Sequence, residues 1–110
     1  DGVSEKMTIA REEIFGPVLS VIAFDGVEEA ARIADATELG LAAGVWTKDV
    51  GRAHARAARL KVGTVWINTY TLFDAASPYG GYKQSGNGRE FGQYGMEDFL
   101  EMKSMQFKKV

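Results

Sequence analysis

An α/β fold, a parallel β-α-β-α-β layer followed by a carboxyl-terminal edge strand, is what this 110-residue sequence predicts. Three observations point there. Residues 18–24 (Val-Leu-Ser-Val-Ile-Ala-Phe) are apolar almost throughout, as a strand covered on both faces is. Two later stretches, 41–47 and 64–68, have strand composition, and between the three strands apolar residues recur at helical spacing. Strands joined by helices through short connections pair in parallel through right-handed crossovers.

Residues 1–11 are polar and irregular, and Met7 and Ile9 suggest only a short extended approach to the acidic turn at 12–17. After the first strand, Val27, Ala30, Ala31 and Ala34 fall on one side of a helix of about ten residues. Glu28, Glu29, Arg32 and Asp35 occupy the other side, and the early glutamates suit the positive end of the helix dipole. In the second strand the small residues Ala42, Ala43 and Gly44 leave room for a close approach. Asp49 is placed to cap the second helix, where Val50, Ala53, Ala57 and Leu60 share one side and Arg52, Arg56 and Arg59 the other. Gly63 is expected to end that helix in the left-handed conformation. His54 has no second imidazole or carboxylate at ligand spacing and reads as a surface histidine; the arginine row reads as a solvated face.

Ligands on such layers bind beyond the carboxyl ends of the strands, which directs attention to residues 69–87. This stretch carries Tyr70, Leu72, Phe73, Tyr79 and Tyr82 around Ser77-Pro78 and Gly80-Gly81, and it is too long for a plain connector. Its aromatics either line a pocket for an apolar substrate or tuck into the core as an internal staple, and both readings stand. Gly86-Asn87-Gly88-Arg89-Glu90-Phe91 approaches the dinucleotide glycine fingerprint, but its last position is Phe91 and no tight strand-to-helix turn surrounds it, so the match is rejected. Residues 88–100 read as short helical turns interrupted by Gly92 and Gly95. In 102–110, Met105 and Phe107 share one side of an edge strand flanked by Lys103, Lys108 and Lys109. The chain thus divides into a body, 1–101, and a terminal strand, 102–110.

Hydrophobic residues at 45% and charged residues at 25% are those of a globular domain. A domain of this length buries roughly two thirds of the surface of its unfolded chain, so a core is expected. The net charge of −2 leaves no basic footprint for nucleic acid or an anionic membrane, and no apolar run is long enough to span a bilayer; neither is expected as a partner. The chain has no cysteine, which excludes disulfides and thiolate metal sites within it and removes the strongest biological nucleophile. It begins with Asp1 rather than methionine and without a signal-peptide pattern, an opening expected of a processed or shortened polypeptide.

The acidic turn Glu12-Glu13-Ile14-Phe15-Gly16-Pro17 combines a carboxylate pair, an aromatic ring and a rigid turn in six residues. A carboxylate offers two acceptor oxygens, enough for both hydroxyls of a vicinal diol such as a ribose. Phe15, two residues after Glu13, projects to the same side if the segment is extended and offers its ring to a flat heterocycle. An acidic turn ahead of a buried strand is the plainer alternative.

Four blocks carry a resemblance: Glu-Glu-Ile-Phe-Gly-Pro-Val at 12–18, Gly-Leu-Ala-Ala-Gly-Val-Trp-Thr at 40–47, Gly-Thr-Val-Trp-Ile-Asn at 63–68, and Ser-Pro-Tyr-Gly-Gly-Tyr-Lys-Gln-Ser-Gly-Asn-Gly-Arg-Glu at 77–90. In order and spacing they resemble the carboxyl-terminal part of the catalytic domain of the NAD(P)-dependent aldehyde dehydrogenases. The resemblance implies an oxidoreductase that converts an aldehyde to a carboxylic acid: a thiolate attacks the aldehyde, hydride passes to the nicotinamide, and water hydrolyses the thioester. It also implies that the nucleophilic cysteine, the water-activating glutamate and the Rossmann-type cofactor domain lie outside this chain, which alone is expected to be inert.

Carried over to this sequence, Glu13 resembles the residue that holds the nicotinamide-ribose hydroxyls and Phe15 the ring beside the nicotinamide, with NAD favoured over NADP. Phe73 and Tyr79, with Leu72 as a neighbour, resemble the aldehyde-pocket wall; Thr69 stands where some relatives have cysteine. Residues 102–110 resemble the strand that pairs with a neighbouring subunit in homodimers and homotetramers. The expected partners are an aldehyde and the remainder of the dehydrogenase chain. The expected compartment is the cytoplasm, the mitochondrial matrix remaining open. The alternative is a stand-alone, non-catalytic assembly module derived from the same fold.

Overall fold

The structure, a computed structural model, describes residues 2–110. In chain order its elements are α1 (Thr8–Arg11), α2 (Gly26–Asp35), β1 (Leu39–Gly40), β2 (Ala42–Val45), α3 (Val50–Ala57), β3 (Thr64–Ile67), β4 (Tyr82–Lys83) and α4 (Gly92–Glu97). The β2-α3-β3 unit is the centre. Its strands pair in parallel from Ala42 opposite Thr64 to Val45 opposite Ile67, as strands joined by a crossover helix must. Asp49 caps α3 as expected, its carboxylate accepting the Arg52 N–H at 2.9 Å. Ala53 of α3 and Trp66 of β3 are the only apolar side chains buried among the described residues.

Ion pairs on the outer side tie α2 to its neighbours. Arg32 forks onto both carboxylate oxygens of Glu5 at 2.6 and 2.7 Å, and Arg59, just after α3, reaches Glu28 at 2.9 Å. The expected solvated arginine face is therefore partly committed to pairing. These bonds hold the carboxyls of Glu5 and Glu28 below the usual glutamate range, chiefly through the hydrogen bonds from Arg32 and Arg59, and raise Arg32 in turn.

A second, antiparallel pair was not foreseen: Leu39 of β1 lies opposite Lys83 of β4, and Gly40 opposite Tyr82. The ammonium of Lys83 donates to the carbonyls of Asp35 and Thr37 at 3.1 and 3.2 Å, closing the end of α2 onto this ribbon. Gly40 permits the approach, because a Cβ there would stand 2.7 Å from the Lys61 carbonyl oxygen.

Several sequence expectations are corrected. Residues 18–24 form no strand: among the described residues nothing pairs with their backbone as a sheet neighbour, and Leu19 and Phe24 are 86% and 61% exposed. Apolar composition suits a strand buried on both faces, but strand formation needs a neighbour to complete its hydrogen bonds, and among the described residues the only parallel pair is β2 with β3. The expected five-element layer is thus reduced to β2-α3-β3. Gly63 does not adopt the left-handed conformation, and α3 ends earlier, at Ala57, with right-handed Ala58 as its cap. Gly63 is needed instead because a Cβ would overlap the carbonyl of Gly80. Residues 102–110 form no strand within the chain, and Met102, Met105 and Phe107 are exposed. The lead-in contains a single helical turn, α1, rather than an extended approach.

The expected core is correspondingly small. The radius of gyration is 18.7 Å and the molecule extends 74 × 33 × 24 Å, whereas a compact domain of this length has a radius of about 13 Å.

Candidate active site

Residues 12–17 lie on the exposed side of the chain. Phe15 has φ 54° and is 94% exposed. A left-handed backbone disfavours a bulky residue, so the segment is not the extended one expected, and the alternation that would set Glu13 and Phe15 on one side does not apply. Glu13 borders a cleft of 540 Å³ whose floor is β1 and β2, with Ala34, Leu60, Val62 and Ser85 on its sides. Among the described residues the Glu13 side chain takes no hydrogen-bond or ion-pair partner. An unpaired carboxylate at the rim and an unburied ring are both available to a ligand.

The aromatic loop is organised by Trp66. Its indole N–H donates to the Leu72 carbonyl at 2.7 Å, bringing the loop back over β3. Tyr70 and Phe73 meet the indole edge-to-face with centroids at 4.8 and 5.7 Å, and Tyr79 meets Phe73 in the same way at 5.0 Å. Of the two sequence readings of the loop, the internal staple is the one its contacts form. The loop is stapled to the buried Trp66, yet Phe73 and Leu72 remain 50% and 69% exposed. Phe73 and Tyr79 are brought together; Leu72 contributes its carbonyl to the staple while its side chain faces solvent.

Tyr79 also borders a second cleft, of 600 Å³, together with Gly80, Gly81, Arg89, Phe91 and Phe99. Leu41 and Ser85 line both clefts, so the one at Glu13 and the one at Tyr79 share a wall. Ser85 fixes this wall to β1 by accepting the Gly40 N–H at 3.0 Å. Arg89 holds the glycine-rich turn beside it, donating to the carbonyls of Gly81 and Gly88 at 2.9 and 2.7 Å and lying 5.3 Å over the Tyr82 ring.

Sequence reasoning singled out neither Ser85 nor Arg89. Their signal was the density of glycines, whose carbonyls are bare enough to be gathered by one guanidinium. His54 is exposed, and among the described residues no group of three or more His, Asp or Glu side chains is placed to hold a metal ion.

Three of the four blocks, 12–18, 40–47 and 77–90, supply residues to two adjoining clefts, and comparison with known proteins decides the family. The model of the aldehyde dehydrogenase family matches residues 1–105. The chain belongs to the aldehyde dehydrogenase family. This aldehyde dehydrogenase chain is 56% identical over 103 residues to the putative aldehyde dehydrogenase DhaS of Bacillus subtilis (strain 168), covering 94% of the chain and 21% of that protein. It is 50% identical over 106 residues to the mitochondrial aldehyde dehydrogenase of Equus caballus, covering 96% of the chain and again 21% of the relative.

Among solved structures, the NAD+ complex of an aldehyde dehydrogenase from Bacillus cereus superposes with a TM-score of 0.88 at 53% identity, over 91% of this chain and 20% of that one. The aldehyde dehydrogenase KauB from Pseudomonas aeruginosa gives 0.89 at 53% identity, over 93% and 21%. The chain spans about a fifth of the length of the curated relatives it matches. It is a fragment-length member of an oxidoreductase family with an α/β fold.

Proposed function

We propose that this chain is the carboxyl-terminal part of the catalytic domain of an NAD(P)-dependent aldehyde dehydrogenase, residues 1–101, ending in an oligomerisation strand, 102–110. The whole enzyme oxidises an aldehyde to a carboxylic acid through a thiohemiacetal and thioester on a cysteine this chain does not contain. Within it, Glu13 accepts hydrogen bonds from the nicotinamide-ribose hydroxyls and Phe15 lies beside the nicotinamide; the bound dinucleotide supplies the hydride acceptor. Phe73 and Tyr79, with Leu72, form a wall of the aldehyde pocket. The observation that supports the cofactor assignment is an uncommitted Glu13 carboxylate at the rim of a cleft, two residues before a ring that is 94% exposed on a left-handed backbone. Non-glycine residues held in the left-handed region cluster at ligand-binding sites. NAD is favoured over NADP because the solved relative is an NAD+ complex.

Residues 18–24 and 102–110 fit this reading. The first gains its missing strand neighbours from the rest of the enzyme, and the second pairs with another subunit in a homodimer or homotetramer. No helix among the described residues is long and apolar enough to cross a membrane. The cytoplasm is the favoured compartment, with the mitochondrial matrix open.

The test is aldehyde-dependent reduction of NAD by the full polypeptide encoded around this chain. The full polypeptide forms NADH and the purified 110-residue chain forms none; NADH formation by the purified chain alone contradicts the reading. Intact mass and the coding region upstream of Asp1 distinguish it from a stand-alone assembly module.

A further inference from the structure

β3 is followed by a residue that the cofactor and pocket assignments leave unused. Asn68 has φ 56°, a conformation that asparagine tolerates better than most residues. Its side-chain amide meets the backbone of Thr47 at both ends: the Thr47 N–H donates to Oδ1 at 2.8 Å, and Nδ2 donates to the Thr47 carbonyl at 2.8 Å. The backbone N–H of Asn68 donates to the Val45 carbonyl at 2.9 Å. The side chain therefore supplies one more rung beyond the last strand pair, Val45 with Ile67, while its backbone has already turned away.

Two segments leave this rung. Thr47 leads into the cap of α3, its hydroxyl accepting the Asp49 N–H at 3.2 Å. Asn68 leads into the aromatic loop, where Tyr70 returns to Trp66 within two residues and Leu72 and Phe73 follow. Phe73, five residues beyond Asn68, meets Tyr79 edge-to-face at 5.0 Å.

We infer that Asn68 is a positioning residue for the aldehyde-facing aromatics, its amide locking the departure angle of the loop onto the backbone of Thr47. The inference rests on Phe73 and Tyr79 being that wall. Asn68 itself touches neither substrate nor cofactor; it acts through Thr47 and through the loop it launches.

The test uses the full-length enzyme with Asn68→Gly and Asn68→Ala. Glycine accepts the left-handed backbone without strain but removes the amide; alanine loses the amide and keeps the strain. Removing the lock raises KM for the aldehyde by about tenfold in both variants, with KM for NAD unchanged, since small misplacement of a binding wall is costly. The glycine variant recovers thermal stability relative to alanine and does not recover the aldehyde KM. If Asn68 served only to adopt its backbone angle, glycine would restore both, and a native aldehyde KM in Asn68→Gly overturns the inference. An equal rise in the NAD KM also overturns it, because the lock would then serve the whole sheet. If the unaltered enzyme oxidises no aldehyde, the pocket reading itself fails and the inference goes with it.

Discussion

Trp66→Phe in the full enzyme isolates what holds the aromatic loop. The substitution keeps a ring in the buried site but removes the indole N–H that reaches the Leu72 carbonyl at 2.7 Å. The bond is part-buried, and its loss is that of an ordinary hydrogen bond, about 1 kcal/mol. The smaller ring also gives up part of the edge-to-face contacts with Tyr70 and Phe73, worth about another 1 kcal/mol. Together they lower the free energy of opening the loop by about 2 kcal/mol, a roughly thirtyfold rise in its open population. Limited proteolysis reads this directly: when closing is faster than cleavage, the rate of cutting within 69–78 follows the open population. The expected result is a cleavage rate roughly thirtyfold higher, with global unfolding shifted by a similar free energy. A rate within twofold of the unaltered enzyme would show that Trp66 is not the anchor.

Two further perturbations probe the edges of the chain. Under the proposed assembly role, removing residues 102–110 from the full enzyme lowers its oligomer order in sedimentation, because the exposed apolar side chains Met105 and Phe107 no longer pack on a neighbouring subunit; an unchanged assembly counts against that role. The Glu5 carboxyl is held below its ordinary value of 4.5, first by the hydrogen bond from Arg32. A carboxyl depressed in the folded state stabilises above its unfolded pKa, and that contribution is lost as pH falls through the lower folded value. The Glu5–Arg32 tether therefore persists at neutral pH and loosens only below about pH 4.5. An NMR titration places the Glu5 midpoint under the ordinary value, and Arg32→Gln returns it; a midpoint indifferent to Arg32 contradicts the assignment.

The parts of the fold legible in the sequence are those decided by local chemistry. The Asp49 cap, the Ala53 face of α3 and the pairing of β2 with β3 follow from side-chain type and spacing within some twenty-five residues. The strand expected at 18–24 failed because a strand is a property of two segments, and composition carries no information on whether the second is present. The β1 to β4 ribbon was hidden for the opposite reason. Its two-residue strands leave no alternating pattern, and they meet only because Gly40, Gly63, Gly80 and Gly81 let backbones touch. In the candidate site, Glu13, Phe15, Phe73 and Tyr79 were singled out by the resemblance to the family, because residue chemistry alone left a plain acidic turn and an undecided aromatic loop. Arg89 and Asn68 were not, since what they do is hold main-chain atoms, and any residue's main chain looks alike in sequence.

The central claim is that this chain contributes the nicotinamide-ribose grip of an aldehyde dehydrogenase, and that Glu13 is that grip. Its most direct measurement is single-turnover hydride transfer by the full enzyme carrying Glu13→Gln. The amide keeps the size of the side chain and leaves one acceptor oxygen for a diol that takes two. The account predicts slower hydride transfer and weaker NAD binding, by about tenfold for one hydrogen bond to a charged group. A hydride rate and an NAD affinity equal to those of the unaltered enzyme would contradict it.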